Sequence, residues 1–179
     1  LHSDLRRQRQ MCIRDRLRAD HLGCGGYHRN TSPNIDNVAS AGINFRNVYA
    51  SDVPCLPSRT ALITGMFGIR NGVINHGGRA ADLQPEGKDR GFFGRFSMRS
   101  WASIFYLAGW HTASISSFPF RHGASWWNSG FMESMNLMRG FGGERADQVI
   151  PGALDWLERR GKADDWFLHV HLWDPHTPY

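Results

Sequence analysis

The stretch Trp166-Phe167-Leu168-His169-Val170-His171-Leu172-Trp173 is mostly apolar from end to end. A run of that length suits a strand buried on nearly all sides, the usual state of strands in parallel sheets. The residues before it, Glu144 to Arg160, are amphipathic, with Val149, Leu154 and Leu157 on or near one face and Pro151 kinking or restarting the helix. Earlier, Trp101, Ile104, Phe105 and Leu107 mark a helix ending at Gly109, and Trp110 to Ser116 reads as a strand. Two helix–strand units point to an α/β fold with parallel strands. Active sites of such sheets lie beyond the carboxyl ends of the strands. The segment after the apolar run, Asp174-Pro175-His176-Thr177-Pro178-Tyr179, is therefore a candidate site, with His176 at its centre and His171 a further candidate.

The 179 residues are enough for one domain with a sizeable core. Of the formal charge of +5, most sits in residues 1–16, which hold five arginines against two aspartates. The rest is nearly balanced, which argues against nucleic acid as a partner. Three cysteines, Cys12, Cys24 and Cys55, give neither a disulfide framework nor a close metal pair. No run is long and apolar enough to span a membrane, and no signal-peptide core is visible, so localisation stays open between periplasmic, secreted and cytoplasmic.

The chemistry concentrates at Cys55-Leu56-Pro57-Ser58-Arg59-Thr60-Ala61-Leu62-Ile63-Thr64-Gly65. Pro57 is placed near a helix start, Ala61, Leu62 and Ile63 supply an apolar side, and Gly65 can end the helix. Backbone N–H groups at such a start stabilise an anion held at Cys55. Arg59 adds a permanent cationic fork suited to a tetrahedral oxyanion. On local physics alone, a buried cysteine before a surface helix is as good an account.

Cys55-Leu56-Pro57-Ser58-Arg59 with Leu62, Thr64 and Gly65 resembles the signature of the type I, formylglycine-dependent sulfatases. Two flanking blocks strengthen the resemblance. One is Pro33-Asn34-Ile35-Asp36 followed by Gly42, Phe45, Asn47 and Tyr49; the other is Asp174-Pro175-His176. The likeness runs from about Leu17 to Tyr179. It implies an alkaline-phosphatase-like α/β sandwich with a central, mainly parallel sheet flanked by helices. Residues 17–179 would form the N-terminal part of that catalytic domain, truncated at the C-terminus and inactive alone.

Residues 1–16 read as a non-native or disordered segment. The run Met11-Cys12-Ile13-Arg14-Asp15-Arg16 resembles translated adapter debris, and only three consecutive apolar residues stand where the family has an apolar strand. On that register Asp15 takes the place of the first metal carboxylate, and Arg16 the place of the second. Asp20 and His21 read as structural. Ile43 to Ala50 reads as extended chain or a short strand, and the helix from Thr31 to Ala41 is expected to turn Ile35, Val38 and Ala39 inward. Where the family has Gly-Lys-Trp-His, this chain has Ser116-Ser117-Phe118-Pro119-Phe120-Arg121-His122-Gly123. Arg121 and His122 are candidate substrate contacts there. Trp126 and Trp127 either plug a gap between helices, the favoured role, or stack on a sugar.

The resemblance implies hydrolysis of sulfate monoesters, of carbohydrates among others. Cys55, oxidised to formylglycine by a separate maturation enzyme of the oxygen-dependent or anaerobic kind, would be the nucleophile as its hydrate and a ligand of the divalent cation. That cation would be Ca²⁺, with Mg²⁺ and Mn²⁺ as alternatives. Arg59 and Arg70 would hold the hydrate and its charge, and His176 would serve the leaving alcohol. His76 is a weaker candidate. The alternatives are a phosphonate or phosphate monoester hydrolase of the same superfamily and a non-catalytic pseudoenzyme.

Overall fold

The structure, a computed structural model, describes residues 17–84, 100–137 and 144–174, and the backbone of residues 8–14. Among these residues the chain forms β1 (Gln8–Arg14), α1 (Pro33–Ala41), α2 (Cys55–Thr64), α3 (Gly68–Asn71), α4 (Trp101–Leu107), β2 (His111–Ile115), α5 (Phe118–Arg121), β3 (Glu133–Met135), α6 (Ala146–Arg160) and β4 (Trp166–Leu172). The strands make one parallel sheet in the order β1-β4-β2-β3. His111 and Gln8 both lie opposite Trp166, so β4 is paired along both edges. The step from β3 to β4 passes over β2, which a parallel sheet requires of a crossover helix; α6 supplies it.

Every residue of β4 is buried, as its apolar run demands. Its two faces differ. Trp166, Leu168, Val170 and Leu172 join Val149, Ala153 and Trp156 of α6 with Ala113 and Ile115 of β2 in one core cluster. On the other face, Phe167 meets Trp101 edge-on at 4.9 Å, and His171 and Trp173 lie 5.0 and 5.5 Å from the Phe118 ring. Leu56, Ile63, Val73, Phe118, Ala124, Trp127 and Trp173 form the second core there. The period-2 alternation of a strand thus assigns one face to packing alone and the other to a pair of histidines.

The termini of these elements explain their limits. Ser100 accepts from the Ser103 N–H at 3.1 Å and caps α4. At the start of α6 the Gln148 side chain accepts from Arg145 N–H at 2.9 Å, and Asp174 from beyond β4 accepts from Ala146 N–H at 2.6 Å. A carboxylate at that end also meets the positive pole of the helix, so Asp174 ties the loop after β4 back to α6. Gly72 closes α3 at φ 85°, and a Cβ there would meet Gln84 N at 2.8 Å.

Several expectations require correction. Gln8–Arg14 is a strand in register with β4, although its composition argued against one. Main-chain pairing to a central strand needs only donors and acceptors in register, not an apolar pattern. Of the two readings of Ile43 to Ala50, extended chain or a short strand, the strand does not form, and Ile43, Phe45, Val48 and Tyr49 are 82, 75, 73 and 88% exposed. None of the described strands lies beside it to turn its alternation into a ladder. Helix α1 forms where expected but buries no residue, and Val38 is exposed. Polar ties hold it instead: Asp36 accepts from Cys24 N–H at 2.8 Å, and Ser32 from Gly23 N–H at 3.0 Å. In α6, Leu154 faces out and Trp156 faces in, and the helix runs through Pro151.

Candidate active site

Helix α2 is the buried element of the site. Leu56, Pro57, Arg59, Thr60, Ala61, Ile63 and Thr64 are all buried. Its two threonines donate to carbonyls one turn back, Thr60 to Leu56 and Thr64 to Thr60, each at 2.7 Å, so no hydroxyl is stranded in the core. Gly65 ends the helix at φ 65°, its N–H bonded to Ala61 O at 2.8 Å. The first helical residue is Cys55, half-buried. The loop leading to it is anchored by Asp52, which accepts from Gly68 N–H at 3.0 Å.

One turn into the helix, the Arg59 side chain is 8% exposed. Its Nε donates to His171 Nε2 at 3.2 Å and its Nη1 to the Cys55 carbonyl at 3.3 Å. Its guanidinium carbon lies 4.9 Å from the centre of the Phe118 ring. The His171 ring therefore accepts through Nε2, which makes it a neutral imidazole with its proton on Nδ1. At the mouth of α2 the Leu56 N–H does not point into open space. It donates to His76 Nε2 at 3.1 Å. The His76 ring lies 4.9 Å from His122, which in turn sits 4.4 Å from Phe118.

The carboxyl ends of β2 and β4 converge on this place. Ser117, just past β2, accepts from Trp173 Nε1 at 2.9 Å, and the Arg121 guanidinium lies over the Trp173 ring at 4.6 Å. Cys55, Arg59, His76, His122, His171 and Arg121 thus belong to one neighbourhood built by α2, α5 and the end of β4. The weaker candidate His76 is thus part of the site, although its contact with Leu56 spans twenty residues with no periodic signal to announce it. One further member escaped sequence reasoning. His169, fully buried on the same face of β4 as His171, pairs its Nδ1 with Ser114 Oγ at 2.9 Å. Burial and the nearby Arg59 push the His169 pKa down to about 3.

The other candidates stand elsewhere. Arg70 is exposed on α3, with no side-chain hydrogen bond or ion pair to any described residue. His171, a candidate for touching substrate, is 1% exposed and bonded to Arg59. Trp127 is 1% exposed within the core and Trp126 packs partly against it, which fits the plug. Asp15 and His176 lie outside the described residues. Among the described residues no group of three or more His, Cys, Asp or Glu side chains is placed to hold a metal. The surroundings of Cys55 are imidazole and guanidinium, a poor match by themselves to the hard oxygen ligands of Ca²⁺.

A parallel sheet with helices on both faces, and a cysteine-headed helix at the carboxyl ends of its strands, make this an α/β protein with its site where such sheets carry theirs. Two solved structures share the architecture. The structure of BT4656 in complex with its substrate D-glucosamine-2-N,6-O-disulfate superposes with a TM-score of 0.74 at 21% identity, covering 97% of this chain and 35% of that one. A putative sulfatase from Bacteroides thetaiotaomicron VPI-5482 gives 0.72 at 18% identity, over 96% and 36%. The Sulfatase family model matches residues 12–179, and the chain belongs to that family. It is 41% identical over 59 residues to arylsulfatase A of Homo sapiens, covering 33% of this chain and 12% of that protein. Against an arylsulfatase of Clostridium perfringens it is 32% identical over 101 residues, covering 56% and 18%. Against N-acetylgalactosamine-6-sulfatase of Mus musculus it is 29% identical over 144 residues, covering 75% and 27%. The chain thus spans only about a quarter or less of the length of these relatives. Family membership carries with it the expectation of a Ca²⁺-dependent reaction.

Proposed function

We propose that the protein containing this chain hydrolyses sulfate monoesters, those of sugars among them, with residue 55 acting as formylglycine. The observation that carries this is the placement of Cys55 at the first position of a buried helix, with Arg59 one turn on and held rigid. A formylglycine hydrate at position 55 supplies the oxygen that displaces the alcohol from sulfur, and its second hydroxyl lets sulfate leave afterwards. A plain cysteine has no second hydroxyl with which to complete that cycle.

This chain's own residues act on charge and protons. Arg59 presents a fixed cation to the sulfate oxygens, which gain charge in the transition state, and fixed donors cost little reorganisation at that moment. His122, half-buried between His76 and Phe118, is a neighbouring imidazole able to pass a proton, beside the role proposed for His176. Exposed Arg121 offers a second cation above Trp173, where an anionic ester approaches. Asp15 is the proposed carboxylate for a bound cation, Ca²⁺ by family, that would screen the ester's charge.

Peptide mass spectrometry of the full-length protein, made together with a formylglycine-generating maturation enzyme, tests the reading. The peptide holding residue 55 should weigh about 18 Da less than its cysteine form, the change from thiol to aldehyde. The matured protein should turn over aryl sulfates and sulfated sugars. Efficient sulfate-ester hydrolysis by protein whose residue 55 stays entirely cysteine overturns the mechanism. Preference for aryl phosphates over aryl sulfates overturns the substrate class.

A further inference from the structure

We infer that His171 is the positioning residue for Arg59: a neutral imidazole built into β4 that fixes the plane of the guanidinium facing Cys55. The inference rests on the proposed function for its catalytic consequence and on geometry alone for the contact. A guanidinium has five N–H donors in one plane, so the direction of its Nε–H sets the direction of the others. In this protein that Nε–H is spent on His171 Nε2 at 3.2 Å, inside the core, where the two side chains are 8 and 1% exposed. An acceptor at this depth is shielded from water, and its loss costs a buried charged donor that bond.

Among the described residues, His171 is the side chain whose bond to Nε sets rotation about the side-chain axis. The Phe118 ring, 4.9 Å from the guanidinium carbon and edge-on to the His171 ring at 5.0 Å, attracts the cation without choosing a rotation. The bond from Nη1 to Cys55 O, at 3.3 Å, is longer and ends on the main chain of the reacting residue itself. His171 lies opposite Ile13 of β1, one residue past the last pair with β2, so its backbone is a fixed reference. The sequence pattern accounts for the placement. Residues 169 and 171 share one face of β4, and 171 is the histidine nearer the carboxyl end, where α2 begins.

Two variants separate the hydrogen bond from packing. His171→Gln keeps an acceptor oxygen near the position of Nε2. His171→Asn has a similar polarity but places its acceptor near Nδ1, out of reach of Arg59. In the full-length, matured protein the Asn variant should lose about a hundredfold in kcat on an aryl sulfate, the size of effect a misplaced catalytic group brings, with KM little changed. The Gln variant should stay near wild type. The second readout needs no turnover. The Arg59 Nε–H signal in ¹H–¹⁵N spectra, assigned by its disappearance in Arg59→Lys, should be slowly exchanging in wild type and in the Gln variant and fast in the Asn variant. If the Asn variant keeps both its kcat and a slowly exchanging Nε–H, the inference is wrong. It is equally wrong if Gln and Asn lose activity and melting temperature in parallel, which marks packing alone. If the wild type hydrolyses no sulfate ester, the proposed function falls, and the Nε–H exchange of the two variants still decides the role of His171.

Discussion

His76 Nε2 accepts a hydrogen bond from the backbone N–H of Leu56 at 3.1 Å, so a side chain from twenty residues downstream caps the first turn of the helix that carries Cys55. One of the donors that a helix start would otherwise offer to an anion is already engaged. Pro57, the third residue of α2, has no N–H to give. Anion binding at this helix therefore leans on Arg59 more than on main-chain donors. His76 accepts only as a neutral imidazole.

The cap predicts a local effect. Replacing His76 with Phe keeps a ring beside His122 and removes the acceptor. The Leu56 amide should then exchange faster, by about 1 kcal/mol of lost protection, the net worth of such a bond. Amides in the last turn of α2, near Ala61 and Thr64, should be unaffected. Hydrogen exchange followed by NMR or mass spectrometry reads both. Unchanged protection at Leu56 would show that the cap contributes nothing.

Substituting Arg59 with Lys predicts a different pattern. The lysine keeps the charge but has one nitrogen where Arg59 has two engaged, on His171 and on the Cys55 carbonyl. Turnover of an aryl sulfate should fall by about a hundredfold or more, as when a transition-state donor is lost. Adding salt should not restore it, because geometry and not net charge is missing. Steady-state kinetics at two ionic strengths checks this. Activity within a few-fold of wild type would make charge alone sufficient.

The sheet was legible from periodicity and the site from one motif, for different reasons. Trp166–Leu172 announced itself because burial on both faces forces a mostly apolar run, and His111–Ile115 through its β-branched Thr112 and Ile115 after a helix-ending glycine. Cys55 to Gly65 announced itself because a helix needs a start, a side and a stop, and each was spelled out locally. What could not be read were contacts between residues far apart in sequence. Leu56 with His76, Arg59 with His171 and Ser114 with His169 are pairs whose members carry no local mark of each other. Edge pairing was also hidden, since Gln8–Arg14 joins β4 through its backbone.

Trp127 predicts a stability effect rather than a binding one. It is 1% exposed and packs 4.7 Å from Phe118, inside the same cluster as Leu56 and Trp173. Trp127→Ala should cost about 3–5 kcal/mol, the usual loss for a large aromatic in a core. Trp126→Ala, only partly buried, should cost clearly less. Urea unfolding of both variants provides the comparison. Equal, small losses would reopen the sugar-stacking role for the pair.

His169 predicts how the fold responds to acid. It is fully buried, its Nδ1 paired with Ser114 Oγ, and rings of Trp101, Trp127 and Phe131 surround it. In the unfolded chain it titrates near the ordinary histidine value of about 6.5. In the folded chain burial, and then Arg59, hold its pKa down to about 3. Between those two values the unfolded chain binds a proton that the folded chain refuses. Stability is therefore flat with respect to this group above about pH 6.5, and it falls as pH drops toward about 3, by up to about 1.4 kcal/mol per pH unit. Below that range both states are protonated and the loss levels off. His169→Leu removes the titrating group while filling much of the space. The variant gives up the bond to Ser114, so it should be less stable than wild type at pH 7. Its stability should nonetheless decline less between pH 6.5 and 4.5, and the two curves should converge. Urea unfolding at half-unit pH steps measures the slope directly. Parallel curves for wild type and variant over that interval would show that His169 is not the group through which acid acts on this core.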